Sequence, residues 1–292
     1  MLTIFTDTDT DITLQEAKKY GYKLISMPYS LFQKEVKPYE DYEEFDYKEF
    51  YNTLRKLKKS ELPTTCAIGE QNYINYFEPE LKKGNDILYV HFSRSMSASF
   101  DSMDKAIAKL KESYPERTIY TIDTKGITIL SLNIVKEIGK LHLQNKSVDE
   151  IIAWANENVD HFATYFFADD LTFFSKSGRI SNFSKVFGNL FGIKPIIYMD
   201  DKGTMTNIGK EKGKQNALKK LLQYYDELSV DQYDHTVIIG HTDSLENASK
   251  LGDMLLEKYG PKLKIEYAVV NPTAGSHCGP DTIGISFYAK HK

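Results

Sequence analysis

Apolar positions along the chain recur at two periods, and the alternation of the two predicts its elements. Residues 2–6 form a short apolar run that reads as a buried strand, and 13–20 carries Leu14, Ala17 and Lys18 at helical spacing, so the chain opens as strand, turn, helix. Residues 23–32 predict a second strand. A helix is expected over 46–57, with Tyr47, Phe50, Leu54 and Leu57 on one face, and the acidic, tyrosine-rich stretch 39–51 around it reads either as a solvated approach to that helix or as a partner surface.

The alternation continues with helices at 71–82, 99–113, 127–144 and 148–158, and strands at 86–92 and 118–122. Strands separated by helices pair in parallel through right-handed crossovers, which predicts an α/β protein with a doubly wound N-terminal sheet. A boundary near His161 divides the chain into an N-terminal α/β domain at 1–162 and a C-terminal α/β domain at 163–292. The second set of elements comprises strands starting at 162–168 and at 193–199, a hairpin-like turn at 200–203, a helix at 211–228, a strand at 236–240, a helix at 244–259 and a strand at 264–270. The period of 282–288 fits strand or helix. No internal repeat or Gly/Ser linker interrupts the pattern.

Composition narrows the function classes. The 292 residues include 41% apolar and 27% charged positions, enough to bury a large core and too ordered a mixture for a low-complexity chain. The formal net charge of -4 argues against a general nucleic-acid or anionic-membrane binder, both of which need a positive field. No window is apolar for the roughly 18 residues that a membrane helix needs, and the start lacks a cationic targeting region, so no stable membrane insertion and a cytoplasmic location are expected. Two cysteines, Cys66 and Cys278, fit a reducing compartment rather than a disulfide framework. Arginine is scarce: Arg55, Arg94, Arg117 and Arg179 are the set, so Arg94 and Arg179, which fall inside polar segments, stand out.

Small hydroxyl residues cluster in turns at the ends of predicted strands, where an open α/β sheet places its ligand crevice. Ser93, Arg94, Ser95, Met96, Ser97, Ala98 and Ser99 lie between a strand and the start of a helix. Free N–H groups and a positive dipole end there suit a carboxylate or phosphate, and the same serines also suit an N-cap. Leu62, Pro63, Thr64, Thr65 and Cys66 form a second polar turn, whose adjacent hydroxyls point in different directions. Gly275, Ser276, His277, Cys278, Gly279 and Pro280 form a third, in which His277 can donate to an oxyanion. In the fourth, Gly178 fits a helix C-cap and Arg179 follows it. The segment Asp7-Thr8-Asp9-Thr10-Asp11 lacks the glycine and distal glutamate of a calcium loop, so no metal site is expected, and Asp7 and Asp9 are expected to begin a turn and bind backbone N–H groups at the start of the first helix.

The ordered set of segments resembles the DegV family of bacterial fatty-acid-binding proteins, which includes the binding subunit of fatty acid kinase. Thr6-Asp7-Thr8-Asp9 is similar to the family's Asp-Ser-rich start, Pro63-Thr64-Thr65-Cys66 to its Pro-Thr-Thr-Ser turn, and Ser97-Ala98-Ser99-Phe100 to its Ser-Gly-Thr-Tyr turn. Ser177-Gly178-Arg179-Ile180 is similar to its Gly-Gly-Arg-Ile, and His277-Cys278-Gly279-Pro280 to its His-Thr-Gly-Pro-Gly. The resemblance spans about 3–288. It implies a two-domain α/β protein with one long-chain fatty acid, such as palmitate or oleate, between the domains and no cofactor. By resemblance the carboxylate is held by hydroxyls at Thr64 or Thr65 and Ser97, with His277, Ser99 and Cys66 nearby and Arg179 at the site mouth or partner surface. It also implies a partner, an ATP-dependent fatty acid kinase catalytic subunit that makes acyl-phosphate for phospholipid synthesis. The chain departs from the family pattern at Cys66, Ala98, Ser99, Ser177, Cys278 and Asp281. Ala98 keeps its turn only at negative φ, and Asp281 near a carboxylate is unfavourable unless it points away.

Phe166, Phe167, Phe173, Phe174, Phe183, Phe187 and Phe191 are available to line an acyl tunnel or to fill ordinary core. Two other readings of the same residues stay open: a hydrolase in which Cys66 or Ser97 attacks and His277 is the base, and a phosphate or nucleotide binder that uses the 93–99 turn.

Overall fold

The computed structural model describes residues 1–181 and 192–292, so Phe183, Phe187 and Phe191 lie outside the described residues. The first strand, β1 (Leu2–Asp7), leads through a 3₁₀ turn at Thr8–Thr10 into α1 (Leu14–Tyr20). Thr13 and Glu16 form a reciprocal capping box that starts α1, and Gly21 at φ 80 stops it. β2 (Tyr22–Ile25) then pairs in parallel with β1.

The strand expected over 23–32 breaks at this point. Ser26 N–H donates to Tyr76 Oη at 3.2 Å, Met27 N–H donates to Thr8 Oγ1 at 2.9 Å, and Pro28 has no N–H, so the parallel ladder ends. The chain resumes as β3 (Tyr29–Leu31) and β4 (Lys34–Val36), passes through α2 (Tyr47–Leu54), and adds β5 (Thr64–Thr65) to the free edge of β3. This three-stranded antiparallel sheet was not expected from the pattern, because a two-residue strand has no period.

α3 (Glu70–Lys82), β6 (Asp86–His91), α4 (Ser99–Ser113) and β7 (Ile119–Asp123) restore the alternation. The resulting sheet is parallel throughout, in the order β2-β1-β6-β7. α5 (Ile129–Leu143) and α6 (Val148–Asn158) follow, and β8 (Phe162–Phe167) enters a second sheet. α7 (Leu171–Ser177), capped by Gly178 at φ 66, and β9 (Ile180–Ser181) precede β10 (Ile193–Met199) and β11 (Met205–Lys212), which form a hairpin. α8 (Lys214–Leu228), β12 (Thr236–His241), α9 (Leu245–Tyr259), β13 (Lys264–Val269), α10 (Pro272–Cys278) and β14 (Ile283–Tyr288) complete the chain.

The second sheet is mixed, in the order β13-β12-β14-β8-β10-β11-β9, with β14 antiparallel to both β12 and β8. The ambiguous 282–288 segment is therefore a strand. The helix expected from 211 begins at Lys214, because β11 runs on to Lys212 and Gly213 turns the chain at φ 78. The helix expected from 127 begins at Ile129, after Thr128 at φ 54. The turn expected at 275–280 is instead the end of α10, which starts with Asn271 as N-cap and Pro272 in the first helical position.

α5 joins the two sheets. Every residue from Ile129 to Lys136 is buried, which fits a helix that is apolar on all sides and packed between layers. Its one buried cation, Lys136, is bound by Glu16 at 2.5 Å and by Glu266. Gly240 of β12 lets the sheet approach this helix, since a Cβ there would lie 2.5 Å from Ile129 Cγ2. The largest core cluster runs from Ile4, Val90 and Leu130 on one side to Phe162, Ile197 and Ile238 on the other.

Candidate functional site

Where α5 begins, the two sheets part around a cavity of about 1070 Å³, its open mouth included. Most of its wall is apolar: Met27, Phe92, Ile129, Phe166, Met199 and Val270 all contribute. Of the other phenylalanines proposed for the tunnel, Phe167 and Phe174 belong to the packed core, and Phe173 borders a shallower groove outside the cavity. Thr65, Ser97, Ser99, His277 and Arg179 give the wall polar groups.

Each polar group is set by its element. Tyr29 pairs with Thr65 and Ser30 with Thr64, so the two threonines of β5 face opposite ways. Thr65 lines the cavity, and its Oγ1 lies 2.9 Å from His277 Nε2. Thr64 is exposed and borders the groove with Leu62, Pro63 and Phe173. His277 stands in the last turn of α10. Burial, and then the charge of Arg179, pushes its pKa down to about 4, so the ring is neutral at physiological pH.

The serine cluster divides by role. Ser93 Oγ donates to Gly203 O at 2.7 Å and Ser95 Oγ donates to Lys202 O at 2.6 Å, which fastens the loop to the β10–β11 turn. Ser97 and Ser99 line the cavity instead: Ser97 Oγ donates to Ser99 Oγ at 3.0 Å, and Ile68 N–H donates to the same Ser99 oxygen at 3.1 Å. Arg94 is taken up by an ion pair with Asp104 on the surface. Arg179 is exposed and borders both cavity and groove.

Cys66 is exposed at the rim and Cys278 is half-buried in the wall of the same cavity, so the segments bearing them converge. Burial, with Asp11 and Asp9 nearby, pushes the Cys278 thiol far up, which keeps it protonated. His277 Nε2 is bonded to the Thr65 hydroxyl rather than to Cys66 or Ser97, so the geometry does not pair His277 with either of the nucleophiles expected for a hydrolase. Among the described residues, no group of three or more His, Cys, Asp or Glu is placed to hold a metal, and no helix is long and apolar enough to cross a membrane.

The fold and the convergence of these segments match known proteins. A model for the DegV family, whose description calls it an uncharacterised protein, matches residues 1–290. The chain belongs to the DegV family. A DegV domain-containing protein of Clostridium perfringens is 31% identical over 290 residues, 99% of this chain and 98% of the relative. A fatty acid binding DegV family protein from Streptococcus agalactiae superposes with a TM-score of 0.84 at 22% identity, covering 100% of this chain and 99% of that one. A DegV family protein from Eubacterium eligens, solved loaded with heptadecanoic acid, gives 0.84 at 20% identity, covering 99% of this chain and 100% of that one. The two-part DegV architecture, a parallel sheet and a second sheet with its helices, is therefore the fold of this chain.

The departures from the DegV pattern now have physical settings. Ala98 sits at φ -71, where an alanine is unstrained. Asp281 is held by Arg55, with Nη2 at 3.3 Å from Oδ1, and shares that cation with Asp243 at 2.5 Å, so the extra carboxylate is paired there and does not line the cavity. The acidic opening forms the expected turn at Asp7, which caps the 3₁₀ helix, but not at Asp9. Asp7 accepts from Asp9 N–H at 3.0 Å, Phe92 N–H at 3.1 Å and Tyr89 Oη at 3.0 Å, and Asp11 accepts from Asn271 N–H and Nδ2 at 2.8 Å each. Burial raises both to about 7. Asp9 binds no backbone N–H with its side chain: it is buried in the cavity wall and its Oδ1 has no partner among the described residues. Sequence reasoning missed it. An Asp directly after a buried strand is a signal, but which of three acids faces a ligand is decided by the turn.

Proposed function

We propose that this chain is a carrier that buries one long-chain fatty acid, such as palmitate or oleate, and presents its carboxylate. The observation that carries the reading is the grouping of Thr65, His277, Ser97 and Ser99 in a cavity whose remaining wall is mostly apolar. The fatty acids named for the DegV relatives support it. The carboxylate would accept from the Thr65 hydroxyl, whose oxygen takes the Nε2–H of the neutral His277, and from the Ser97 hydroxyl once it turns from Ser99 to the ligand. Neutral donors hold a carboxylate without cancelling the charge that a later step must attack with.

Affinity comes from the tail. At about 0.8 kcal/mol per buried CH₂, an acyl chain of about fourteen methylenes gives a gross term of about 11 kcal/mol before the costs of association. Thr64 and Cys66 border the entrance, and Arg179 stands where a partner would dock. In this reading the units 1–162 and 163–292 flank the ligand, no cofactor is needed, and the protein works in the cytoplasm. A separate ATP-dependent fatty acid kinase subunit phosphorylates the carboxylate to acyl-phosphate, and this chain supplies no chemistry of its own.

Native mass spectrometry of protein purified from bacteria tests the reading. The expected result is added mass equal to one fatty acid. Repeated absence of lipid, together with no calorimetric binding of added palmitate or oleate, overturns it. The kinase step is tested separately, by whether the lipid-loaded protein supports acyl-phosphate formation by a fatty acid kinase subunit.

A further inference from the structure

The cavity has a second polar place, apart from the Thr65–His277 pair. Asp9 lines it from the 3₁₀ turn after β1 and is 5% exposed. Asp7 takes donors on both oxygens and Asp11 takes two on Oδ1, whereas the Asp9 side chain takes none and its Oδ1 is buried without a partner among the described residues; Asp11 Oδ2 is unpaired too, but Asp11 does not line the cavity. Buried polar atoms are seldom left in that condition, and each exception asks for a reason. Burial, then the adjacent Asp7 and Asp11, raises Asp9 well above its ordinary value and favours the protonated acid, the form that can both donate and accept.

Thr128 stands beside it. Its N–H donates to the Asp9 carbonyl at 2.7 Å, it lines the same cavity, and its backbone holds φ 54, a costly conformation for a β-branched residue. His277 feels the charge of Arg179, while Cys278, the next residue on α10, feels Asp11 and Asp9. Asp9 thus approaches the wall at Cys278 rather than at the Thr65–His277 pair.

We propose that Asp9, with Thr128 beside it, recognises a hydroxyl carried on the acyl chain, so that the preferred ligand class of this cavity is a hydroxy fatty acid. The inference rests on the fatty-acid reading above. A chain-borne hydroxyl can donate to and accept from the Asp9 carboxyl, whereas plain methylenes leave the acid unpaired. Sites built around a buried hydrogen-bonding group discriminate strongly against ligands that lack the matching group.

The test is a competition among stearic acid and hydroxystearic acid isomers with the hydroxyl near the carboxyl, at mid-chain and near the methyl end, on the delipidated full chain. At least one isomer is expected to bind about tenfold more tightly than stearic acid, an order of magnitude typical for a satisfied buried polar group. Asp9→Asn, whose amide still donates and accepts, keeps that preference. Asp9→Ala loses it and binds stearic acid at least as well as the unmodified chain, and an unlowered thermal midpoint shows that it is folded. If no isomer beats stearic acid, or if Asp9→Ala keeps the preference, the inference is wrong while the fatty-acid reading stands. If neither stearic acid nor any isomer binds, both fall.

Discussion

The contact between Thr65 and His277 carries two expectations about single residues. Thr65 faces the cavity and Thr64 faces away, so Thr65→Val is expected to weaken palmitate binding by about 1.5–3 kcal/mol, the value of a hydrogen bond to a charged group. Thr64→Val is expected to change it by less than about 0.5 kcal/mol, as surface substitutions do. Isothermal calorimetry of the two variants checks this, and equal losses would contradict the register. The pKa of His277 is pushed down to about 4 in the folded chain from about 6.5 unfolded, so between those values the unfolded state binds more protons and stability is lost as pH falls. Asp7 and Asp11 work oppositely, since their raised values favour the folded state as pH falls towards the unfolded carboxylate range. Urea unfolding of the wild type and of His277→Gln at pH 7 and pH 4 isolates the histidine: the wild type should lose up to about 3 kcal/mol more than the variant. Hydroxyls and a histidine at strand ends were legible as candidates from local sequence. The choice between Thr64 and Thr65, the fastening role of Ser93 and Ser95, and the unpaired Asp9 were not, because each depends on a partner far along the chain.

Elements with a long, unmixed period were read closely, and α4 and α6 have the ends that their patterns predicted. Errors fell where a side chain from elsewhere ends an element. Tyr76 and Thr8 take the N–H groups that a longer β2 would have used, and Pro28 removes the next donor. β14 alternates Ile283, Ile285 and Phe287 with Gly284, Ser286 and Tyr288, but six residues are too few for that period to exclude a helix. α5 is the element with most at stake, since it serves both sheets at once. Ile134 at its centre is fully buried, and Ile134→Ala is expected to cost about 2–5 kcal/mol in denaturant unfolding, the range for a large aliphatic side chain lost from a packed core. A cost below about 1 kcal/mol would mean that the helix can slide to fill the gap, contrary to its contacts on both sides.

At the scale of the whole molecule, the sequence pattern suggested two units joined in series, and the parallel first sheet followed from it. The second sheet did not, because its order places the last strand, β14, in the middle and brings together segments far apart in the chain. One core cluster runs through α5 into both sheets, so the chain is expected to unfold in a single transition. Trp154, the only tryptophan, lies in α6 and reports locally, while far-UV circular dichroism reports on the whole. Coincident urea curves from the two probes support one cooperative unit, and separated midpoints would show two. Added fatty acid should move both curves together by mass action.

The loop from Ser93 to Ser99 gives that unity a mechanical meaning. Its first half is stitched to the carbonyls of Lys202 and Gly203 on the far sheet, and its second half supplies the hydroxyls that face the cavity. There is no room for slack at the seam, because even a methyl group on Gly203 would lie 2.2 Å from Ser93 Oγ. Pulling the β10–β11 turn outward therefore tugs Ser97 and Ser99 with it. On the carrier reading proposed above, the grip on a cargo's head and the closure of the two halves would work as one latch, and the protein would let go of both together.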